Sequence, residues 1–94
     1  MEIIWRAAAI RDLEAIRDFI AEDNPSAADR VRRAIRTAVE RLATHPNIGR
    51  AGRVGGTREL IIAGTPYIVA YRVAAGSLRI LAVMHGSRQW PDRF

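Results

Sequence analysis

Few side chains in this sequence can do chemistry. The 94-residue chain has two histidines, His45 and His85, and no cysteine. Arg88 and Trp90 follow His85 closely, and Arg50 and Arg53 sit in a glycine-rich loop between Gly49 and Gly56. His85 is suited to general acid or base work near neutral pH. Its other reading is structural, a hydrogen bond to the tail that holds Gly86, and that reading weighs more. His45 precedes Pro46 at a helix exit, where it suits a C-terminal cap complementing the helix dipole. Two distant histidines, with no cysteine and no carboxylate cluster, make no metal-ligand set, and no cofactor is expected. Gly52-Arg53-Val54-Gly55-Gly56 lacks the Gly-Lys-Ser/Thr ending and the preceding strand of a phosphate-binding loop. No Ser/His/Asp arrangement stands out.

All basic side chains are arginine, and 15 of them against 10 carboxylates leave a net charge of +5. The missing lysine reads as compositional bias. The charge excess favours an acidic partner, either a nucleic acid or an acidic protein segment, and composition does not choose between them. Hydrophobic residues make up 49% of the chain, which excludes disorder as the default. The length predicts a single domain over residues 1–94. The lack of cysteine fits a reducing cytosol. Arg6 and Arg11 interrupt the amino-terminal segment, so neither a signal peptide nor a bilayer-spanning run is expected, and the expected location is cytoplasmic.

These residues need a scaffold. Three strands follow one another over Thr57–Ile62, Tyr67–Val73 and Leu78–Met84, joined by Gly64-Thr65-Pro66 and Ala74-Ala75-Gly76-Ser77. Each connection carries a glycine able to take positive φ, so an antiparallel meander is predicted. Glu2–Arg6 alternates and predicts a first strand, with Ile3 and Trp5 on one face and Ile4 and Arg6 on the other. Ala7–Glu22 has helical spacing, with a stripe of Ile10, Leu13, Ile16 and Ile20 and with Phe19 beside it. Nothing caps its start. Asn24-Pro25 predicts a capped restart, and a second helix to about Thr44 buries Ala28, Val31, Ile35, Ala38, Val39 and Leu42. The fold class is therefore α+β: an N-terminal strand and a two-helix hairpin packed on a small antiparallel sheet of about four strands.

Strict alternation assigns Tyr67, Val69, Tyr71 and Val73, with Leu78, Ile80, Ala82 and Met84, to the helix side. It leaves Ile68, Ala70 and Arg72, with Arg79, Leu81, Val83 and His85, on a partly exposed face. An apolar face left uncovered by its own chain predicts a partner.

The order of elements, and the motifs along it, resemble the RelE/ParE superfamily of toxins from bacterial type II toxin–antitoxin modules, and ParE-like members more than RelE-like ones. The resemblance rests on Ala8–Ile16, Pro25-Ser26-Ala27-Ala28, Leu42–Gly49, Gly56–Leu60, Tyr67–Val73, Ile80–Gly86 and His85–Pro91. It implies the toxin half of an operon pair, neutralised by an antitoxin that wraps an extended or helical segment around it. ParE-like members act on DNA gyrase; RelE-like members cut messenger RNA on the ribosome. Metal-independent RNA cleavage needs a base, an acid and cations on one face. RelE-like ribonucleases place a basic residue where this chain has Ile68, and their lysine-rich loop is represented only by Arg50 and Arg53. Arg88 matches a basic position of that site, His85 would serve as its acid or base, and Trp90 or Phe94 could supply a terminal aromatic. The nuclease set is incomplete, which favours a ParE-like toxin with no bond chemistry of its own. Arg30 and Arg33 lie on an arginine face that is either solvated or the dock for an acidic antitoxin. Arg58 and Arg72 pair with Glu59 or the tail, or else line the exposed sheet face beside Arg79. Trp90 is either a binding hot spot or packs back over the helices.

Overall fold

A computed structural model describes residues 1–94. Strand β1 (Glu2–Trp5) leads into helices α1 (Ala7–Ala21) and α2 (Pro25–Glu40), and α2 tightens into a 3-10 turn at Arg41–Ala43. Strands β2 (Arg50–Ala51), β3 (Arg58–Ile61), β4 (Tyr67–Ala74) and β5 (Ser77–His85) follow. They form one five-stranded sheet in the order β1-β5-β4-β3-β2. The meander β3-β4-β5 is antiparallel as expected, and β1 pairs in parallel with β5. Gly64 and Gly76 take φ of 78° and 75° in the two hairpin connections. The fifth strand is β2, where Arg50 and Ala51 pair with Glu59 and Arg58. Two residues are too few for alternation to register in the sequence.

The helix signals hold. Asn24 Oδ1 accepts the Ala27 N–H at 3.1 Å, with Pro25 at the first helical position, and Arg6 leaves α1 without a side-chain cap. In α2 the core side chains are Ala28, Ile35 and Val39, joined by Leu42 from the 3-10 turn, with Val31 and Ala38 packed against them. In α1 the stripe is Ala9, Leu13, Ile16 and Ile20, and Ile10 is 46% exposed. The 9-13-16-20 spacing stays on one face of a 3.6-residue helix, whereas residue 10 lies about 100° away from residue 9.

Two corrections concern the sheet. First, Ala70 pairs with Ala82 but Tyr71 pairs with Ile80, so Leu81 is an extra residue in β5. Such a bulge inverts the alternation beyond it. Val83 therefore joins Tyr67, Val69, Tyr71, Leu78 and Ile80 in the helix-side core, while Ala82 and Met84 turn to the opposite face with Ala70. Second, the apolar middle of that opposite face is not open. Trp90 and Phe94 from the tail pack on Ala70, Ala82 and Met84, and Ile68 and Leu81 are buried as well. Trp90 covers this second face rather than the helices.

Where β1 stops, α1 takes over the edge of β5. The Arg6 N–H still bonds the Ile80 carbonyl at 3.0 Å, and then Asp12 Oδ2 accepts the Val83 N–H at 3.0 Å. A carboxylate flanking the core stripe of α1 thus satisfies a strand donor that would otherwise lack a partner.

Candidate functional site

The loop ahead of β3 is organised by one acidic side chain. Glu59 is 1% exposed and faces the tail side of the sheet, opposite Ala70. Its Oε1 accepts from Arg50 Nε at 3.2 Å and from a terminal guanidinium nitrogen of Arg50 at 2.9 Å. Its Oε2 accepts the Arg53 backbone N–H at 2.8 Å and lies 3.5 Å from Arg53 Nε. The Arg53 guanidinium then stacks 4.2 Å from the Trp90 ring centroid, and Trp90 meets Phe94 edge to face at 6.4 Å. Both loop arginines are thus engaged within the fold. The Trp90 indole N–H is buried with no partner.

The loop is held from the other side by Tyr71. Its hydroxyl donates to the Pro46 carbonyl at 2.8 Å and accepts the Gly49 N–H at 2.9 Å. Burial pushes this phenol above its ordinary 10.0, while the Gly49 hydrogen bond and the Arg58 charge pull it the other way. Arg58 pairs neither with Glu59 nor with the tail; its guanidinium donates to the Gly49 carbonyl at 2.8 Å.

His85 and Arg88 do come together. They line a cavity of about 180 Å³ with Asp12, Ile16, Phe19 and Tyr67. Because of the bulge, this cavity is on the helix side, so His85 and Arg79 are on opposite faces. The His85 ring stands edge-on to Tyr67 at 5.7 Å, and its Nδ1 sits 3.1 Å from the Ser87 N–H and 2.8 Å from the Ser87 hydroxyl. That is the expected bond to the tail, made to Ser87, while the Gly86 N–H is held by the Pro66 carbonyl at 2.8 Å. The His45 Nδ1 lies 2.9 Å from the Thr44 hydroxyl rather than at a helix-end carbonyl; the Thr44 N–H closes the 3-10 turn on the Arg41 carbonyl at 3.3 Å, and the His45 N–H bonds the same carbonyl at 3.0 Å.

Arg30 and Arg33 line a groove between α2 and β3, together with Ala34, Ala38, Arg41 and Ile61. Ile61 is 56% exposed there. The groove has a cationic wall and an apolar floor. Arg72 and Arg79 stand elsewhere, across from each other on β4 and β5, and share a cavity with Arg6 and Phe94. Sequence reasoning missed Arg6, Arg41, Asp12 and Ile61 as members of these surfaces. A signal existed for Ile61 alone: a strand that alternates must turn one of Ile61 and Ile62 outward.

Comparison with known proteins places these features in context. Residues 3–90 match the family described as ParE toxin of the type II toxin–antitoxin system, parDE. Toxin Y4kP of Sinorhizobium fredii is 47% identical over 90 residues, covering 96% of this chain and 93% of that one. Toxin RelE2 of Caulobacter vibrioides is 37% identical over 87 residues, covering 93% and 97%. Among solved structures, a chain of the chromosomal ParDE toxin–antitoxin system from P. aeruginosa superposes with a TM-score of 0.81 at 27% identity, over 90% of this chain and 95% of that one.

Proposed function

This chain belongs to the ParE toxin family of type II toxin–antitoxin systems, and we propose that it acts by binding and inhibiting DNA gyrase rather than by cutting RNA. One observation carries the reading. Around Ile68 the sheet face where cleavage would need cations is apolar and covered: Ile68, Ala70, Ala82 and Met84 lie there with Trp90 and Phe94 packed on the last three. The one buried charge on that face is Glu59, which engages Arg50 and Arg53. A pentavalent phosphate needs preorganised positive charge free to meet it, and none stands beside Ile68; Arg72 and Arg79 lie farther along the face, beyond the Ala70–Ala82 pair.

A toxin of this kind has an antitoxin partner. We assign its dock to the α2–β3 groove, where Arg30, Arg33 and Arg41 border the apolar Ala34, Ala38 and Ile61. An amphipathic acidic segment fits both properties at once.

The competing reading is a ribosome-dependent, metal-independent endoribonuclease using His85 and Arg88, which line one cavity. The deciding experiment is a gyrase supercoiling and cleavage assay with purified toxin, with and without antitoxin. Lost supercoiling or accumulated cleaved DNA, reversed by antitoxin, is the expected result. Intact gyrase activity at high toxin excess, with ribosome-dependent RNA cleavage that His85→Ala and Arg88→Ala abolish, would replace this reading with the nuclease.

A further inference from the structure

Arg72 and Arg79 face each other directly across β4 and β5, and Ile4 stands beside Arg79 across β1 and β5. Arg6 lies two residues beyond Ile4, so it points to the same side. The three arginines line one cavity of about 310 Å³ with Ile4, Leu81 and Phe94. The ion pairs of the protein use Arg17, Arg32, Arg50 and Arg53, so no carboxylate lies within 4.0 Å of Arg6, Arg72 or Arg79. Nor do these three guanidinium groups donate any hydrogen bond; the arginine donors are Arg17, Arg32, Arg50 and Arg58. Like charges directly opposite one another on paired strands destabilise a sheet. Here a third cation adds to that cost, with no carboxylate within 4.0 Å to offset it.

We propose that Arg6, Arg72 and Arg79 form a binding site for a phosphate group carried by a nucleotide or polynucleotide. A carboxylate would neutralise one of the three cations. A phosphate carries more charge and presents several acceptor oxygens, which guanidinium forks engage in pairs. The remaining lining residues are the hydrophobic Ile4, Leu81 and Phe94. Such walls suit the sugar and ring next to a phosphate and offer nothing to a bare inorganic ion. Leu81 is the bulged residue of β5, so the local irregularity that breaks alternation also supplies the apolar wall beside Arg79. The site stands apart from the antitoxin groove and from the His85 cavity, and it does not depend on gyrase being the target.

The test is a solution titration of the full chain, followed through the arginine Nε–H signals. The probes are inorganic phosphate, adenosine triphosphate and a short single-stranded oligonucleotide, with chloride at matched ionic strength as control. Saturable shifts confined to Arg6, Arg72 and Arg79 are expected, with affinity rising from inorganic phosphate to the nucleotide probes. Arg72→Gln and Arg79→Gln should each weaken binding about tenfold or more, the scale of one charge-assisted hydrogen bond. Neither arginine holds a partner in the fold, so both variants should keep the parent's near-ultraviolet circular dichroism. Equal affinity for triphosphate and oligonucleotide identifies a free-nucleotide site; clear preference for the oligonucleotide identifies a polynucleotide contact; both uphold the proposal. Shifts no different from those in chloride, or spread equally over Arg30 and Arg33, overturn it. Displacement of every probe by a tighter-binding polyglutamate peptide also overturns it, in favour of an acidic protein partner.

Discussion

Two ends of one sheet face treat the same residue type in opposite ways. At the β2–β3 end, Arg50 and Arg53 converge on the buried Glu59, and Arg53 also stacks on Trp90. At the β1–β5 end, Arg6, Arg72 and Arg79 share a cavity with no carboxylate in reach. The first set is structural: its charge is consumed in holding a loop to the sheet. The second set costs stability in the isolated protein and can repay it only through a ligand. Arginine count and net charge cannot separate these roles, because the difference lies in one glutamate and its position.

That contrast can be broken at its strongest point by Glu59→Ala. The substitution strands two partly exposed guanidinium groups and a backbone N–H, and should cost about 2–4 kcal/mol, read from the urea midpoint. A loss below about 0.5 kcal/mol would make the clasp ornamental and place both ends in the same class.

Somewhat smaller effects are expected at the Tyr71 anchor. Tyr71→Phe leaves the Gly49 N–H and the Pro46 carbonyl without their partner, costing about 1–3 kcal/mol. Gly49→Ala should cost a similar amount, since a Cβ at Gly49 would stand 2.5 Å from the Tyr71 hydroxyl oxygen. The phenol also gives a pH signature. Its folded pKa is raised, so its contribution is complete below the unfolded value of about 10 and is lost as pH climbs through the folded value. Melts across the alkaline range should show that loss in the parent and a flatter profile in Tyr71→Phe.

Trp90→Ala should remove about 1–2 kcal/mol by uncovering Met84 and Ala82 and freeing Arg53. Fluorescence quenching in a Trp5→Phe background reads the same contact: iodide should reach Trp90 poorly in the parent chain. Easy quenching would mean that the tail does not cover the sheet.

Least of all, Arg79→Gln should change stability by no more than about 0.5 kcal/mol without phosphate, and upward, because it relieves the Arg72–Arg79 repulsion. A drop of the size expected for Glu59→Ala would show that Arg79 has a structural partner and would erase the distinction between the two ends.

Local rules carried much of this fold. Asn24 and Pro25 announce α2 through the geometry of a helix start, and Gly64 and Gly76 announce the hairpins through positive φ. The alternation in β4 is legible because Tyr67, Val69 and Tyr71 stay in register to the end. The same rule failed in β5, where Leu81 shifts Ala82, Val83 and Met84 by one step and carries His85 to the face away from Arg79. Nothing in Leu78–Met84 marks the extra residue, since apolar side chains occupy both faces there. One position of the α1 stripe differs for a related reason: Ala9 is small and unremarkable in sequence, yet it is fully buried in the core, while Ile10 beside it is exposed.

The identity and order of the elements other than β2, their caps and turns, the core stripe of α2 and the toxin family could be read from the linear chain, because each depends on neighbours within a turn or a strand length. The assignment of arginines to clasp, groove or shared cavity could not. Ion pairing is settled by distances of a few ångströms between residues such as Arg50 and Glu59, and those distances exist only once β2, β3 and the tail have been laid side by side.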